Sequence, residues 1–363
     1  MLKELKTPSK GNLRACVEER PIVSNSAPGV QQLRKKSAIA AATPPPDWCW
    51  DHRNDGMWHN RYEACYYNDG TFTVTDQTGK VVGGMTYIVL HYVYVSEFFP
   101  TYEQNILISP TSNAWGAAVG TTVNGALTCT GGTCTGLQND FPMQPLNVTS
   151  HFADGQGVFG TTVSTVGSTG FPTHRLDYWF HGPQFGQSIN GWSSWQRVRC
   201  DNAVPGVNNV RCINYRYTPT MTYSLTGPYP ELARHIQDAL NSGLPGAVGG
   251  TPLKRETDSA KVDANGRRAC PSPGYTRPQG KSCDEYPFRS TQQGASTANP
   301  QGPARTFTWC SIPEPTGVTG PIGYSVCMID STQNSTGGSI LNSQFYLPYR
   351  VIQNDPFTVS ITP

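Results

Sequence analysis

The chain has 363 residues, of which 37% are hydrophobic and 14% charged, and its formal net charge is +2. Its size allows two ordinary domains or one large β-rich domain. The small net charge excludes the global basic field of a general nucleic-acid binder, although a local basic groove stays open. Glycine (37) and proline (30) are abundant without a repeating pattern, which excludes collagen-like and low-complexity chains and favours short strands joined by long loops.

The cysteines indicate the compartment in which the protein works. Eleven are present, none in a CxxC motif or a Cys/His cluster with zinc spacing, so no structural zinc site is predicted. Pairing sequence neighbours predicts five disulfides and leaves Cys16 over: Cys49–Cys65, Cys129–Cys134, Cys200–Cys212, Cys270–Cys283 and Cys310–Cys327. Because so many disulfides need an oxidising compartment, we expect a secreted, extracellular protein.

The export route is not evident from the sequence. Met1–Pro21 lacks the apolar core of a signal peptide, and no run reaches the length of a membrane-spanning helix. The interpretation we favour is a piece cut from a longer exported polypeptide, with another exit route as the alternative.

Composition divides the chain into three parts. Residues 1–46 are polar and basic and end in an Ala-rich stretch followed by Pro44-Pro45-Pro46, which predicts a flexible basic arm or linker, with a docking segment as the alternative. Residues 47–217 are predicted to form a disulfide-bearing antiparallel β domain. Residues 218–363 form a different, mixed α+β region with its own helix and strand signals.

Short strands separated by turn signals characterise residues 47–217. The strand candidates are Tyr87–Val95, Gly157–Val166 and His174–Phe180, and the turn signals are Asn68-Asp69-Gly70, Gly83-Gly84 and Gly131-Gly132. Such spacing predicts an antiparallel sandwich or barrel, so the expected fold class is mostly β with a small α+β domain at the C-terminus. The tryptophans of this region are interpreted as core residues rather than as a carbohydrate-binding platform.

The clearest helix of the chain is predicted at Glu231–Asn241. Pro230 suits its first turn, Gly243 stops it, and apolar residues recur on one face. His235 lies beside that apolar stripe and is interpreted as a packing or capping histidine in preference to a catalytic one.

A basic run precedes the most unusual motif of the sequence. Residues 254–281 contain three acidic residues and seven basic ones, which are Lys254, Arg255, Lys261, Arg267, Arg268, Arg277 and Lys281. Two interpretations of this basic run stay open, a phosphate-binding surface and an ordinary solvated face. The motif that follows, KSCDEYPFRS at Lys281–Ser290, places two adjacent carboxylates, Asp284 and Glu285, between a cysteine and a Tyr-Pro pair.

The C-terminal elements after this motif are predicted in order. Arg305–Ser311 and Tyr324–Ile329 are expected to form an antiparallel pair stapled by Cys310 and Cys327. A polar loop at Asp330–Gly338 then leads into a helix at Ser339–Tyr346, with Asn334 at the helix entrance. A final strand is expected within Arg350–Ile361, interrupted by a turn at Asn354-Asp355-Pro356.

Three motifs resemble the NucA/NucB-type bacterial deoxyribonuclease family, and the longer secreted actinobacterial members are the most similar in style. They are the helix PELARHIQDAL, the core Asp284-Glu285-Tyr286-Pro287, and the polar segment Gln333–Ser339, which is similar to a family Glu-Asn stretch leading through a Gly-rich turn into a helix. The likeness covers roughly residues 220–363. It implies a ββα-metal-finger-like nuclease that uses one divalent cation, with acids where many other finger nucleases use histidine.

Chemistry assigns the residues to roles. Phosphodiester hydrolysis needs an activated water and a hard cation bound through oxygens, most simply Mg²⁺, with Mn²⁺ as the alternative. Asp284 is predicted to be the general base, and Glu285 to bind the cation or orient the base, because adjacent strand residues point to opposite faces. Asn334 is predicted to be a metal ligand, although Asn334-Ser335-Thr336 is also a glycosylation sequon.

Basic residues are predicted to contact the phosphates. Arg268 is assigned to transition-state charge, and Arg267, Lys281 and Arg289 to substrate binding. Where relatives carry a Glu before the Asn, this chain has Gln333, whose amide oxygen can approach a cation without attracting it by charge.

The predicted function is an extracellular, metal-dependent, non-specific DNA endonuclease, acting alone or as the toxic C-terminal module of a larger exported antibacterial protein. The expected partner is DNA, together with an immunity protein or delivery apparatus in the toxin case. The alternative is a catalytically inactive, β-rich binding or structural protein with a nuclease-like tail. A carbohydrate-active enzyme is not favoured, because its acid/base pair stands about 5–10 Å apart across a cleft.

Overall fold

The computed structural model describes residues 12–21, 43–52, 56–129, 131–146, 152–194 and 197–363. The chain divides into two compact units, one formed by residues 1–202 and 209–217 and the other by residues 203–208 and 218–363. The predicted boundary between residues 217 and 218 stays a proposal.

In the first unit all the described secondary-structure elements but one are β-strands. Its strands are β1 (Arg14–Pro21), β2 (Trp58–His59), β3 (Glu63–Thr75), β4 (Val81–Val95), β5 (Thr101–Pro110), β6 (Trp115–Gly116), β7 (Thr122–Cys129), β8 (Cys134–Asp140), β9 (Gln144–Pro145), β10 (Ala153–Thr161), β11 (Thr169–Gly170), β12 (His174–Gly182), β13 (Gly186–Gln187), β14 (Gly191–Ser194), β15 (Val198–Asp201) and β16 (Arg211–Asn214). A 3₁₀ turn covers Asp47–Trp50.

Two antiparallel sheets share the main core of this unit. The larger follows the order β1-β3-β4-β5-β10-β8, with β2 and β6 at its margins, and the smaller follows β13-β12-β7-β9, with β14 beside β12. Aromatic rings from the two sheets meet in the core, where the centroids of Phe72 and Phe180 lie 4.8 Å apart. A third sheet of β11, β15 and β16 completes the unit. The predicted mostly-β class with a sandwich-like N-terminal region is confirmed.

Two predicted turns are wrong because their glycines lie inside strands. Asn68-Asp69-Gly70 lies within β3, where Gly70 pairs with Tyr87 and a Cβ on Gly70 would come within 2.1 Å of that ring. Gly83-Gly84 lies within β4, where a Cβ on Gly83 would come within 2.6 Å of the backbone N of Ala117, and one on Gly84 within 2.7 Å of the carbonyl oxygen of Phe72 on β3. These glycines serve close packing rather than chain reversal. Gly131-Gly132 does lie in a turn, between β7 and β8.

Much of the predicted basic arm lies outside the described residues, which begin at residue 12 and omit residues 22–42. Within the arm, Arg14–Pro21 is not a linker but strand β1, which pairs antiparallel with β3 and buries Ala15.

The second unit is an α+β structure. Its elements are β17 (Thr220–Ser224), α1 (Pro230–Asn241), β18 (Leu253–Lys254), α2 (Ser259–Ala269), β19 (Lys281–Tyr286), β20 (Ala304–Arg305), β21 (Tyr324–Asp330), α3 (Ser331–Ile340), a π-helix (Leu341–Tyr346) and β22 (Pro356–Thr362). One sheet has the order β17-β22-β18 and the other β19-β21-β20. Helix α1 confirms the predicted helix, and its residues Leu232, Ala233 and Ile236 are buried in the core of the unit.

The predicted pairing of the C-terminal strands is wrong. β21 runs antiparallel to β19, the strand that carries the two acids. Of the predicted partner Arg305–Ser311 only Arg305 pairs with β21, in parallel, together with the preceding Ala304. The disulfide Cys310–Cys327 forms as predicted, but it fixes a turn rather than a second hairpin strand.

Two helices differ from the sequence-based expectation. Helix α3 begins at Ser331, eight residues before the predicted start, because the Asp330 carboxylate accepts from the backbone N–H groups of Thr332 and Gln333. Helix α2 replaces part of the basic run and is capped in the same way by Asp258. Of the predicted final strand, only the part that follows the turn forms, as β22.

All five predicted disulfides are present, and Cys16 is free and exposed. The five disulfides indicate a protein of an oxidising compartment. No helix among the described residues has the length and apolar character needed to cross a membrane.

Candidate active site

A cleft of about 770 Å³ lies where β19 meets α3 and the π-helix. Asp284 and Glu285 on β19, Asn334 on α3 and Tyr346 on the π-helix all line it, and Arg255 and Arg289 lie on its wall. β19 and β21 pair antiparallel and α3 follows β21 directly, so the three elements form a strand–strand–helix unit. The two acids therefore share one cleft with the asparagine.

Asp284 is held from behind by α1. Its side chain is largely buried, and its Oδ2 atom lies 2.5 Å from Nδ1 of His235. Among the described residues Oδ1 of Asp284 has no hydrogen-bond partner. One carboxylate oxygen is thus anchored and the other remains for a ligand in the cleft.

His235 is fully buried, and both of its ring nitrogens have partners. Nε2 lies 3.0 Å from Oγ of Ser325, a residue of β21 that pairs with Tyr286. An ionised carboxylate only accepts hydrogen bonds, so Nδ1 carries the proton that is donated to Asp284. The interpretation of His235 as a packing histidine omits this polar role.

Glu285 follows Asp284 on β19, lines the same cleft and is half-buried. Desolvation by burial, followed by the charge of Asp284, raises the pKa of Glu285 to about 8, while the guanidinium and backbone N–H of Arg289 oppose the rise. A carboxyl group whose pKa is raised this far holds a proton at neutral pH, and a cation placed next to it stabilises its ionised form.

Asn334 joins α3 to β19. Its Nδ2 atom donates to Oγ of Ser282 at 3.0 Å and to the carbonyl oxygen of Cys283 at 2.9 Å. Its Oδ1 atom has no partner among the described residues and is the part of the side chain left for the cleft. The engaged amide nitrogen also makes the glycosylation alternative unfavourable, since a glycan on Nδ2 would break one of these hydrogen bonds.

Two arginines line the cleft. Arg289 is exposed, and its Nη2 atom forms an ion pair of 2.8 Å with Oδ1 of Asp263. Arg255 is buried, with its guanidinium carbon 4.1 Å from the centre of the Tyr346 ring and one donor on the carbonyl oxygen of Val351. Its remaining guanidinium donors have no hydrogen-bond partner within the described part of the chain, although the charge of Asp355 acts on the group, so Arg255 offers these donors to an anion in the cleft.

The other predicted site residues lie away from this cleft lining. Arg267 and Arg268 are exposed in the last turn of α2, and Arg268 binds the side chain of Gln301. Nζ of Lys281 lies 2.6 Å from both carboxylate oxygens of Glu231 at the start of α1. The assignment of these three residues to catalysis or DNA binding stays a prediction.

Gln333 is occupied by a structural contact. Its Oε1 atom accepts from the backbone N–H of Glu231 at 2.8 Å and so satisfies a free donor at the start of α1. The amide oxygen that the sequence offered to a cation is therefore already in use.

The sequence did not predict the contact of His235 with Asp284 or the place of Arg255 in the cleft lining. His235 was visible only as a polar residue beside an apolar stripe, which is itself a signal that a buried partner is needed. Arg255 was one of seven similar residues in a basic run, and nothing local distinguished it from them.

The donor set of the cleft fits a hard divalent cation. Within the described ranges no group of three or more His, Cys, Asp or Glu residues is arranged to hold a metal ion, so a closed cage of the zinc type is not formed. Two carboxylates and one free amide oxygen instead match Mg²⁺ or Mn²⁺, which bind few protein oxygens and keep several waters.

Comparison with known proteins agrees with this location. The family model described as "Deoxyribonuclease NucA/NucB" matches residues 250–360, which contain Asp284, Glu285, Asn334 and both cleft arginines. No curated protein and no solved structure matches the chain. Residues 250–360 of this chain are thus similar to the NucA/NucB deoxyribonuclease family.

Proposed function

We propose that the cleft is the active site of an extracellular, divalent-cation-dependent endonuclease that hydrolyses DNA without sequence specificity. The observation that carries the proposal is the convergence of an anchored carboxylate, a second carboxylate, a free amide oxygen and two arginines in the segment that matches the deoxyribonuclease family. The β19–β21–α3 unit would serve as the metal finger.

Asp284 is the general base in this proposal. Its Oδ2 atom is fixed by His235, and Oδ1 faces the cleft, where it accepts the proton of the attacking water. The carboxylate is already oriented before DNA arrives, which avoids reorganisation during the reaction.

Glu285 and Asn334 would hold the cation through carboxylate and amide oxygens. When bound, the cation would neutralise charge at phosphorus and assist the departing 3′ oxygen. The raised pKa of Glu285 means that the residue gives up a proton when the cation binds, so cation affinity rises with pH up to about 8.

Arg255 and Arg289 would bind the phosphates next to the scissile bond. Both are cleft residues, and guanidinium groups suit phosphate oxygens through paired donors. Contacts of this kind recognise the backbone rather than the bases, which accounts for an absence of sequence preference.

The disulfides and the family match support secretion, and we propose two settings for the activity. In the first the protein degrades extracellular DNA on its own. In the second it is the toxic C-terminal module of a larger exported antibacterial protein, delivered by an apparatus and neutralised at home by an immunity protein.

The test is digestion of supercoiled plasmid with Mg²⁺ or Mn²⁺, with and without EDTA. The wild type should nick the plasmid only with a free divalent cation, and Asp284→Asn should lower the rate by about 10²–10⁴-fold. Asp238→Asn makes the same change on a carboxylate of α1 that binds Trp309 outside the cleft, and should cleave at the wild-type rate. Intact DNA with every cation tried would overturn the proposal and favour the inactive binding protein.

A further inference from the structure

We propose that His235 is a positioning residue for this reaction, holding the carboxylate of Asp284 in the orientation that presents Oδ1 to the cleft. The inference rests on the proposed function of Asp284 as the base. It assigns a task to a histidine that lies 49 positions away from that acid in the sequence.

The contacts of His235 fix the ring in one orientation. Nδ1 is 2.5 Å from Oδ2 of Asp284 and Nε2 is 3.0 Å from Oγ of Ser325, so both nitrogens are anchored on opposite sides of the imidazole. Ser325 lies on β21 next to β19, and α1 carries His235 across this pair of strands. The ring edge of Phe307 closes one side, with centroids 6.0 Å apart.

The burial of His235 indicates that this residue positions Asp284 and takes no direct part in the reaction. His235 is 0% exposed and does not line the cleft, so it reaches neither DNA nor the attacking water. Asp284 does line the cleft. Since one carboxylate oxygen is held by His235, rotation of the carboxylate is prevented and the other oxygen keeps its direction.

Packing alone does not explain the choice of residue. Leucine or phenylalanine fills a buried position on the apolar face of α1 without bringing polar atoms that need partners. Histidine at this position is stable only because Asp284 and Ser325 supply both partners.

Two polar replacements separate the roles of the two ring nitrogens. In His235→Asn the amide Nδ2 takes the place of Nδ1 and keeps the donor to Asp284. In His235→Gln the amide Nε2 takes the place of the nitrogen that faces Ser325, and Asp284 loses its donor. Both variants are polar and uncharged, so they impose similar demands on the core, and thermal unfolding selects folded preparations.

The experiment measures kcat and KM for cleavage of a fluorescent duplex at saturating Mg²⁺. His235→Gln should lose about 10–100-fold in kcat at nearly unchanged KM, whereas His235→Asn should stay within about threefold of wild type. His235→Leu should resemble His235→Gln where it folds. Equal kcat values for folded His235→Asn and His235→Gln would overturn the inference, as would a loss in KM alone.

The same assay distinguishes failure of this inference from failure of the proposed function. If the wild-type protein leaves DNA intact with every divalent cation, both the proposed function and the positioning role of His235 are overturned. A wild type that cleaves, an Asp284→Asn variant that does not, and a His235→Gln variant with the wild-type kcat would leave Asp284 as the base and remove His235 from the account.

Discussion

Replacing Glu285 by glutamine should make the cation-free protein more stable. The same replacement should remove the stabilisation that a bound cation gives the folded protein. The pKa of Glu285 is raised from 4.5 to about 8 by burial and by the charge of Asp284. An acid whose pKa is raised on folding binds more protons in the folded than in the unfolded state. The free energy of unfolding therefore falls as pH rises from about 4.5 to about 8, and the loss is complete above that range.

The expected magnitude follows from this window. One pKa unit corresponds to about 1.4 kcal/mol, so ionisation of the unfolded state up to pH 7 gives an upper limit of about 3 kcal/mol. Because Glu285 is only half-buried and solvent screens part of the effect, we expect Glu285→Gln to gain about 1–2 kcal/mol. That gain corresponds to a rise of roughly 2–8 °C in the melting temperature of the α+β unit.

The assay is thermal unfolding in EDTA at pH 5 and pH 8, repeated with Mn²⁺. The advantage of Glu285→Gln should be small at pH 5 and large at pH 8, and Mn²⁺ should raise the melting temperature of the wild type but not of the variant. Glu314→Gln changes a carboxylate that accepts from Tyr275 outside the cleft, and should alter neither result. A Glu285→Gln variant no more stable than wild type at pH 8, or one that still responds to Mn²⁺, would refute the reasoning.

Three further predictions follow from the cleft. Asn334→Ala should lower the affinity for Mn²⁺ by about tenfold in titration calorimetry, and unchanged affinity would remove Asn334 as a ligand. Arg289→Met should lower kcat/KM on plasmid DNA by about tenfold, and Arg268→Met should lower it less, because only Arg289 lines the cleft. A smaller loss for Arg289→Met than for Arg268→Met would contradict this order. Replacing Cys270 and Cys283 together by serine should lower kcat, because this disulfide ties the end of α2 to the residue before Asp284. The control is the same replacement of Cys49 and Cys65 in the β unit, which should leave kcat unchanged.

Local signals predicted the elements that local interactions determine. Helix α1 has a proline in its first turn, a glycine after its end and one apolar face, and all of these act within a few residues. The five disulfides join sequence neighbours at separations of 5 to 17 residues, so pairing by proximity was sufficient. The acids were identified by their local surroundings, a cysteine on one side and Tyr-Pro on the other.

Long-range pairing limited the rest. β19 and β21 are separated by a long loop, and the chain between them contains another strand-like segment at Arg305–Ser311, so sequence order alone predicts the wrong partner for β21. The start of α3 depends on the Asp330 cap in a glycine-containing segment with weak intrinsic helix preference, where composition predicts a loop. The contact between His235 and Asp284 arises only when α1 crosses these strands, and no local pattern encodes it.

We propose that Glu285 and Asn334 hold one cation beside the base Asp284. Anomalous diffraction from crystals of the protein soaked in Mn²⁺ tests this most directly, with an EDTA-treated crystal as the control. We expect one anomalous peak in the cleft, with a Glu285 carboxylate oxygen and Oδ1 of Asn334 bound to the ion directly or through a single water. The proposal would be contradicted if no anomalous peak lies in the cleft although the crystallised protein cleaves DNA, or if residues other than Glu285 and Asn334 bind the ion.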